Sequence, residues 1–369
     1  MKILLATGGT GGHIYPAIAL ADKLMQDNNK NEILFVGNED RMESVEVVKQ
    51  GYRFIGIKAA KFNNNRNKLS ALKTLYKAYK ECLGIVRDFQ PDAVMGFGGY
   101  VTVPVVMAAH KLGIKTLIHE QNSLTGLANR VLGHFVDKVV ICYPSAAEAF
   151  SKRKVSLLGN PRESAVLNFV KDREIFRQYG MDCNKKTVLI VMGSLGSVSV
   201  NQKMTGILEG LKHKDYNVLY VTGRNNYEQF AGLSLETDTL KIVPYINQFN
   251  IAGNCALVMS RGGATSASEY MALGVPTIIV PSPYVTNNHQ YINAKAMLDN
   301  GASVLLEEKD MNIANTIELI DELVHDDERL AKMSAAAREM SHPYAAYDII
   351  KLIKELTGNK DEEGNGNKA

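Results

Sequence analysis

The sequence predicts an α/β protein of two Rossmann-like domains, each built on a parallel sheet, and three observations predict it. Strand patterns alternate with helical patterns almost throughout, as parallel α/β sheets require. A strand, a glycine-rich turn and a helix open the chain, and a second unit of the same kind opens near its middle. The length of 369 residues is too great for one ordinary core and suits two domains of typical size.

The first unit begins with Lys2-Ile-Leu-Leu-Ala6 as a buried strand. TGGTGGH, from Thr7 to His13, is its turn, and an apolar-periodic helix runs from Ile14 to Leu24. Glu32-Ile-Leu-Phe-Val36, Ala93-Val-Met95, Lys115-Thr-Leu-Ile118 and Lys138-Val-Val-Ile141 follow as short buried strands, each closed by Gly, Asn or a turn. Leu158-Gly-Asn-Pro161 marks a boundary, because Asn-Pro after Gly does not continue a helix or a central strand. The second unit reads Thr187-Val-Leu-Ile-Val-Met192, then GSLGS from Gly193 to Ser197, then a helix into Leu211. Val218–Val221, Leu240–Val243, Ala256–Met259 and Thr277–Val280 are its further strands. The expected domains are residues 1–162 and 163–357, with the last helix able to pack back on the first domain. The tail 358–369, GNKDEEGNGNKA, holds no apolar anchor except its last alanine and reads as disordered.

Composition narrows the function classes. Hydrophobic residues at 46% and charged residues at 22% are those of a soluble globular protein, and a net charge of +3 speaks against nucleic-acid binding by bulk electrostatics. Cys82, Cys142, Cys183 and Cys255 show no CxxC spacing, which argues against a zinc site or redox pair and fits a reducing compartment. The apolar run after Lys2 flows straight into glycines, unlike a signal peptide, and no stretch approaches bilayer length. A cytoplasmic location is expected.

A glycine-rich turn leading from a buried strand into a helix presents backbone N–H groups and a positive dipole end to an anion. Two such turns suggest a phosphate-bearing ligand shared by two domains. A dinucleotide site needs an acid at the end of the second strand, but that strand ends in Gly37-Asn38. A Walker loop ends in Gly-Lys-Ser/Thr, and here the loop ends Gly12-His13. Neither NAD nor ATP chemistry is favoured.

TGGTGGH at 7–13, GFGGY at 96–100, HEQN at 119–122, GNPR at 159–162 and SRGGATSASE at 260–269 occur in this order. Together, from residue 3 to about residue 340, they resemble the MurG family of N-acetylglucosaminyltransferases, glycosyltransferase family 28. The resemblance implies a GT-B fold, two Rossmann-like domains facing across a cleft. UDP-GlcNAc would be held mainly by the C-terminal domain, and a lipid-linked muramyl-pentapeptide acceptor by the N-terminal one. It also implies transfer of GlcNAc, with inversion, to the C4 hydroxyl of the muramyl sugar.

The resemblance assigns roles by position. His13, at a helix N-terminus, is the candidate general base, since the dipole there disfavours imidazolium; a histidine that merely caps the helix and orients the loop is the competing reading. His119 and Glu120 form a second candidate, with His119 read as a structural hydrogen-bonder. Thr10, Gly11, Gly12, Asn122, Arg162, Ser194, Ile246, Glu269 and Gln290 are expected to bind the donor, and Gly98, Gly99 and Tyr100 the acceptor. Glu269 would accept both ribose hydroxyls, against the alternative of a solvated surface residue. Ser194 would meet the diphosphate or cap its helix, and Ile246 would read uracil through its backbone. His289 stands where relatives have a first glutamine before Gln290, Leu195 where a glutamine is common, and Arg162 follows Pro161 without a spacer. No Asp-x-Asp signature is present, and no metal or other cofactor is expected; helix starts and Arg162 would offset charge growing on UDP.

From Lys61 to Lys80 every charged residue is basic: Lys61, Arg66, Lys68, Lys73, Lys77 and Lys80. Leu72, Leu75, Tyr76, Tyr79, Leu83 and Val86 share a helical arc flanked by Lys73, Lys77 and Lys80. The segment reads as an edge lying on an anionic membrane surface, with Leu72, Lys73, Tyr76, Lys77, Tyr79 and Lys80 in contact. An arc packed on its own domain is the alternative. Two rival functions remain: a UDP-GlcNAc 2-epimerase, which would need neither the basic helix nor the GFGGY loop, and a non-catalytic nucleotide-sugar-binding module, for which His13 would have no use.

Overall fold

The computed structural model describes residues 1–59, 68–193 and 196–359. Ser194, Leu195, Lys61, Arg66 and the tail beyond Asn359 lie outside them, as do the side chains of Lys68 and Leu72. The chain divides into two compact units, Met1–Ser164 joined by the segment from Tyr344, and Ala165–Pro343.

The first unit alternates β1 (Lys2–Ala6), α1 (Gly11–Asp27), β2 (Glu32–Asn38), α2 (Met42–Lys49), β3 (Arg53–Ile57), α3 (Lys68–Phe89), β4 (Ala93–Gly96), α4 (Thr102–Lys111), β5 (Lys115–Glu120), α5 (Leu127–Leu132), β6 (Lys138–Ile141) and β7 (Val155–Leu157). Among the described residues these strands form one parallel sheet in the order β3-β2-β1-β4-β5-β6-β7. Strand side chains alternate between faces. Leu4, Leu34, Val94, Ile118 and Val139 pack with Ala78, Cys82 and Val86 of α3 and Val105 and Ala109 of α4. Ile3, Leu5, Phe35, Met95 and Leu117 pack on the opposite face with Ile14, Ala17 and Leu24 of α1. Both faces are covered, which is why these strands read as continuous apolar runs.

The second unit contains β8 (Thr187–Val191), α6 (Val198–Leu211), β9 (Asn217–Val221), α7 (Glu228–Ala231), β10 (Leu240–Val243), α8 (Gln248–Ala252), β11 (Leu257–Ser260), α9 (Ala264–Leu273), β12 (Thr277–Ile279), α10 (His289–Asp299), β13 (Ser303–Leu305), α11 (Ile313–His325) and α12 (Asp327–Glu339). Its parallel sheet runs β10-β9-β8-β11-β12-β13. Val188, Ile190 and Tyr220 pack on one face with Met204 and Ile207 of α6 and Ile320 of α11. Leu189, Leu219 and Val258 pack on the other with Phe249 and Tyr270. A final helix, α13 (Ala345–Thr357), returns to the first unit, where Ile349, Ile350 and Ile353 join the cluster around α1.

Two differences from the sequence reading bear on the site. Helix α1 begins at Gly11, so Gly11 and Gly12 are its first turn and Thr10 its N-cap. Helix α6 begins at Val198 with Ser197 at its N-cap position, where the side chain makes no capping bond, and Ser194 itself lies outside the described residues.

In each sheet the chain reverses its winding direction at the strand that opens the unit. Between β1 and β4, and again between β8 and β11, connections leave toward opposite sides, and the crevice outside the carboxyl ends of such a strand pair is the general ligand position of open α/β sheets.

Candidate active-site residues

In the first unit the loops after β1 and β4 meet at that crevice. A Cβ on Gly99 would lie 2.5 Å from the carbonyl oxygen of Gly8, and Gly99 adopts φ +82°, so only glycine allows this approach. Gly98, at φ +111°, lies under the His13 ring: a Cβ there would fall 2.9 Å from Nε2. Thr102 Oγ1 donates to Gly98 O at 2.7 Å and Gln121 Nε2 to Phe97 O at 2.7 Å, fixing the loop that carries Tyr100, itself half-buried.

His13, half-buried, is the third residue of α1. Its side chain does not cap the helix but does orient the loop, with Nδ1 2.9 Å from Gly8 O. A carbonyl only accepts, so Nδ1 carries the hydrogen, and in the neutral ring Nε2 keeps its lone pair. The structure thus brings His13, Gly98 and Gly99 together. Behind the loop, Glu43 is fully buried and its Oε2 accepts from Gly9 N–H at 3.3 Å. Sequence reasoning missed Glu43, which stands 34 residues from Gly9.

Glu120 is buried and its carboxylate is held by four N–H donors. Oε1 accepts from the backbone N–H of Asn122 at 3.1 Å and its side-chain amide at 3.2 Å; Oε2 accepts from Gly126 N–H at 3.0 Å and Asn129 Nδ2 at 2.9 Å. That geometry makes Glu120 a staple of the loop after β5 and turns the Asn122 amide back onto it. His119, fully buried, donates from Nε2 to Gly159 O at 3.0 Å and stacks on Phe97. Burial lowers its pKa from 6.5 to about 4, opposed by the Gly159 bond and aided by His13.

The unfolded state binds a proton to the His119 imidazole below about pH 6.5, while the folded state resists until about pH 4. Stability therefore falls as pH drops through that window, and is unaffected by His119 above it. In His119→Gln, whose amide can still reach Gly159 O, denaturant titrations between those pH values should show a shallower loss. An unchanged slope would assign the acid sensitivity to other groups.

Arg162 is the second residue of a 3-10 segment (Pro161–Asn168), its N–H donating to Asn160 Oδ1 at 3.0 Å. In the second unit, Glu269 is the sixth residue of α9 and is buried, at 6% exposure, which removes the solvated-surface alternative. Gln290 and Asn293 of α10 hold the loop ahead of α9. A Cβ on Gly262 would clash with Gln290 O, Asn293 Nδ2 donates to Gly262 O at 3.1 Å, and Gln290 Oε1 accepts from Ser282 N–H at 2.9 Å. Ile246, after β10, has a buried side chain. Arg261, also buried, donates to Ser197 Oγ at 2.6 Å and Val280 O at 3.2 Å and pairs with Glu308 at 2.6 Å. It ties together the ends of the strands on either side of the second crevice.

Helix α3 divides along its length. Ala78, Cys82, Leu83, Val86 and Phe89 are buried and Tyr79 packs against them, so the packed-arc alternative holds for this face. Lys73, Tyr76, Lys77 and Lys80 are exposed, with Lys80 Nζ 5.7 Å from the Tyr76 ring centroid.

The sequence matches the glycosyltransferase family 28 N-terminal domain over residues 3–141 and the glycosyltransferase family 28 C-terminal domain over residues 187–352. It is 40% identical to the UDP-N-acetylglucosamine–N-acetylmuramyl-(pentapeptide) pyrophosphoryl-undecaprenol N-acetylglucosamine transferase of Bacillus cytotoxicus, covering 96% of this chain and 99% of that one. The transferase of the same name from Listeria welshimeri is 39% identical over 96% of this chain and 99% of its own. Among solved structures, Acinetobacter baumannii MurG aligns with a TM-score of 0.76 at 28% identity, over 96% and 99% of the two chains. A putative UDP-N-acetylglucosamine 2-epimerase from Listeria monocytogenes aligns with a TM-score of 0.72 at 15% identity, over 100% and 99%, a likeness of fold alone.

Proposed function

The chain belongs to glycosyltransferase family 28, and from that premise we propose that it is an inverting N-acetylglucosaminyltransferase. It moves GlcNAc from UDP-GlcNAc to the C4 hydroxyl of MurNAc in undecaprenyl-diphosphoryl-MurNAc-pentapeptide, the lipid I to lipid II step of peptidoglycan synthesis.

The observation that carries the mechanism is the His13 ring, with Nδ1 committed to Gly8 O and the Nε2 edge over Gly98. As the C4 oxygen bonds to C1 of GlcNAc, the bond from C1 to the diphosphate breaks on the opposite face and the hydroxyl proton passes to Nε2. His13 is preferred to Glu120 because the Glu120 oxygens already accept four hydrogen bonds. Gly98, Gly99 and Tyr100 would hold the acceptor. Glu269 would take the ribose, Ile246 the uracil, Gln290 the sugar, and Ser194 with Arg162 the diphosphate. Thr10, Gly11, Gly12 and Asn122 complete the donor set in this reading.

The epimerase reading is separated by one experiment. Incubated with UDP-GlcNAc alone and followed by proton NMR, the protein should leave the donor sugar unepimerised, and UDP should appear only when the lipid-linked acceptor is added. Formation of UDP-ManNAc without acceptor would favour the epimerase.

The protein is further proposed to work peripherally on the cytoplasmic face of the cell membrane, without nucleic-acid partners. Among the described residues no helix is long and apolar enough to cross a membrane. The exposed face of α3 supports docking: Lys73, Lys77 and Lys80 would pair lipid phosphates at about 1 kcal/mol each, with Tyr76 at the interface. Reversing the three lysines to Glu should reduce sedimentation with anionic vesicles and lower activity on the full-length acceptor, while activity on a short-chain soluble acceptor survives. Unchanged vesicle binding at low salt would move the contact to another surface.

A further inference from the structure

The carboxylate of Glu43 and the imidazole of His13 occupy the two ends of one peptide unit. The trans bond between Gly8 and Gly9 donates its N–H to Glu43 Oε2 at 3.3 Å and accepts His13 Nδ1–H on its carbonyl at 2.9 Å. Glu43 is fully buried, and its other oxygen takes the backbone N–H of Asn38 at 3.0 Å and the Asn38 side-chain amide at 2.7 Å. Its place in the first turn of α2 favours a negative charge there. The approach depends on Gly8, where a Cβ would meet Glu43 Oε1 at 2.5 Å.

We propose that Glu43 is a positioning residue for the transfer reaction, acting through the Gly8–Gly9 peptide to hold His13 as the Nδ1–H tautomer with Nε2 bare. This rests on the reading of His13 as the base. A carboxylate that accepts the N–H of an amide polarises that amide and makes its carbonyl a stronger acceptor. The stronger acceptor keeps the imidazole hydrogen on Nδ1 and fixes the ring plane, which leaves Nε2 as the nitrogen able to take a proton. The arrangement has the logic of a carboxylate orienting a catalytic histidine, with one peptide interposed. It also explains a buried carboxylate whose partners, among the described residues, are neutral N–H donors.

The test uses protein labelled with 15N-histidine, in which long-range proton–nitrogen spectra read the tautomer and His13→Gln assigns the signal. Wild-type His13 should carry its hydrogen on Nδ1. In Glu43→Gln, nearly isosteric but neutral, the Nε2–H tautomer should become populated and kcat should fall by about 10-fold to 100-fold, with UDP affinity unchanged. Introduced into His13→Ala, the same change should cost less than about twofold of the residual turnover, because its route through the imidazole is gone. A wild-type His13 protonated on Nε2 overturns the proposal, and that spectrum needs no variant to fold. So does Glu43→Gln with the wild-type tautomer, or an equal cost in both backgrounds. Full turnover in His13→Ala would instead remove the base reading, and the tautomer spectra would still decide what Glu43 does to the ring.

Discussion

His13→Ala should lower turnover by about 100-fold to 10,000-fold, the range that a positioned general base contributes, while UDP binds almost as before. The separation follows from where the residues lie. His13 belongs to the first unit, on the turn after β1, whereas Glu269, Ile246 and Gln290 all belong to the second. The half-buried ring can lose its imidazole without opening a large core cavity, so the variant should also fold. Steady-state turnover with saturating donor, beside calorimetry with UDP, separates the two effects. A fall of less than tenfold in a folded variant would show that the proton leaves by another route.

Glu269→Ala should do the reverse and act first on nucleotide binding. Losing a charged hydrogen-bond partner to a ribose costs about 1.5 to 3 kcal/mol, or roughly 10-fold to 150-fold in the dissociation constant. Its position on α9, close behind a loop clamped by Gln290 and Asn293, gives a carboxylate there a fixed relation to the loop's backbone. Calorimetry with UDP measures the loss directly. An unchanged dissociation constant, in a variant with the wild-type melting temperature, would take Glu269 out of the nucleotide site.

The parts of this molecule that were legible in its sequence are those with two-sided constraints. Strands such as Lys2–Ala6 and Thr187–Val191 are covered on both faces, so nearly every residue is apolar and the run announces itself. The strands that escaped notice, Arg53–Ile57, Val155–Leu157 and Ser303–Leu305, all lie at sheet edges. There burial is partial, and Arg53, Ser156 and Ser303 dilute short apolar runs below what a pattern can show. The start of α1 was read three residues late for a related reason, since Gly11, Gly12 and His13 form its first turn without contributing to the apolar stripe. The glycine turns were visible because they demand glycine itself. Glu43 was not: nothing local to it signals a role, and only the pairing of β1 with β2 brings the start of α2 behind the turn at Gly8. Similarly, Glu120 read as a candidate base in sequence because its four N–H donors, from Asn122 and Gly126 of the following loop and Asn129 of α5, close on it only in the fold.

Transfer of GlcNAc from a nucleotide to a lipid-linked muramyl sugar can be followed as label entering lipid. The decisive experiment incubates purified protein with UDP-GlcNAc radiolabelled in the sugar, with and without undecaprenyl-diphosphoryl-MurNAc-pentapeptide. Label should enter the lipid extract only when the acceptor is present, and mild acid should release it as a GlcNAc–MurNAc disaccharide peptide. Label that stays in the aqueous phase in both reactions, with a protein shown to be folded and to bind UDP, would contradict this transfer.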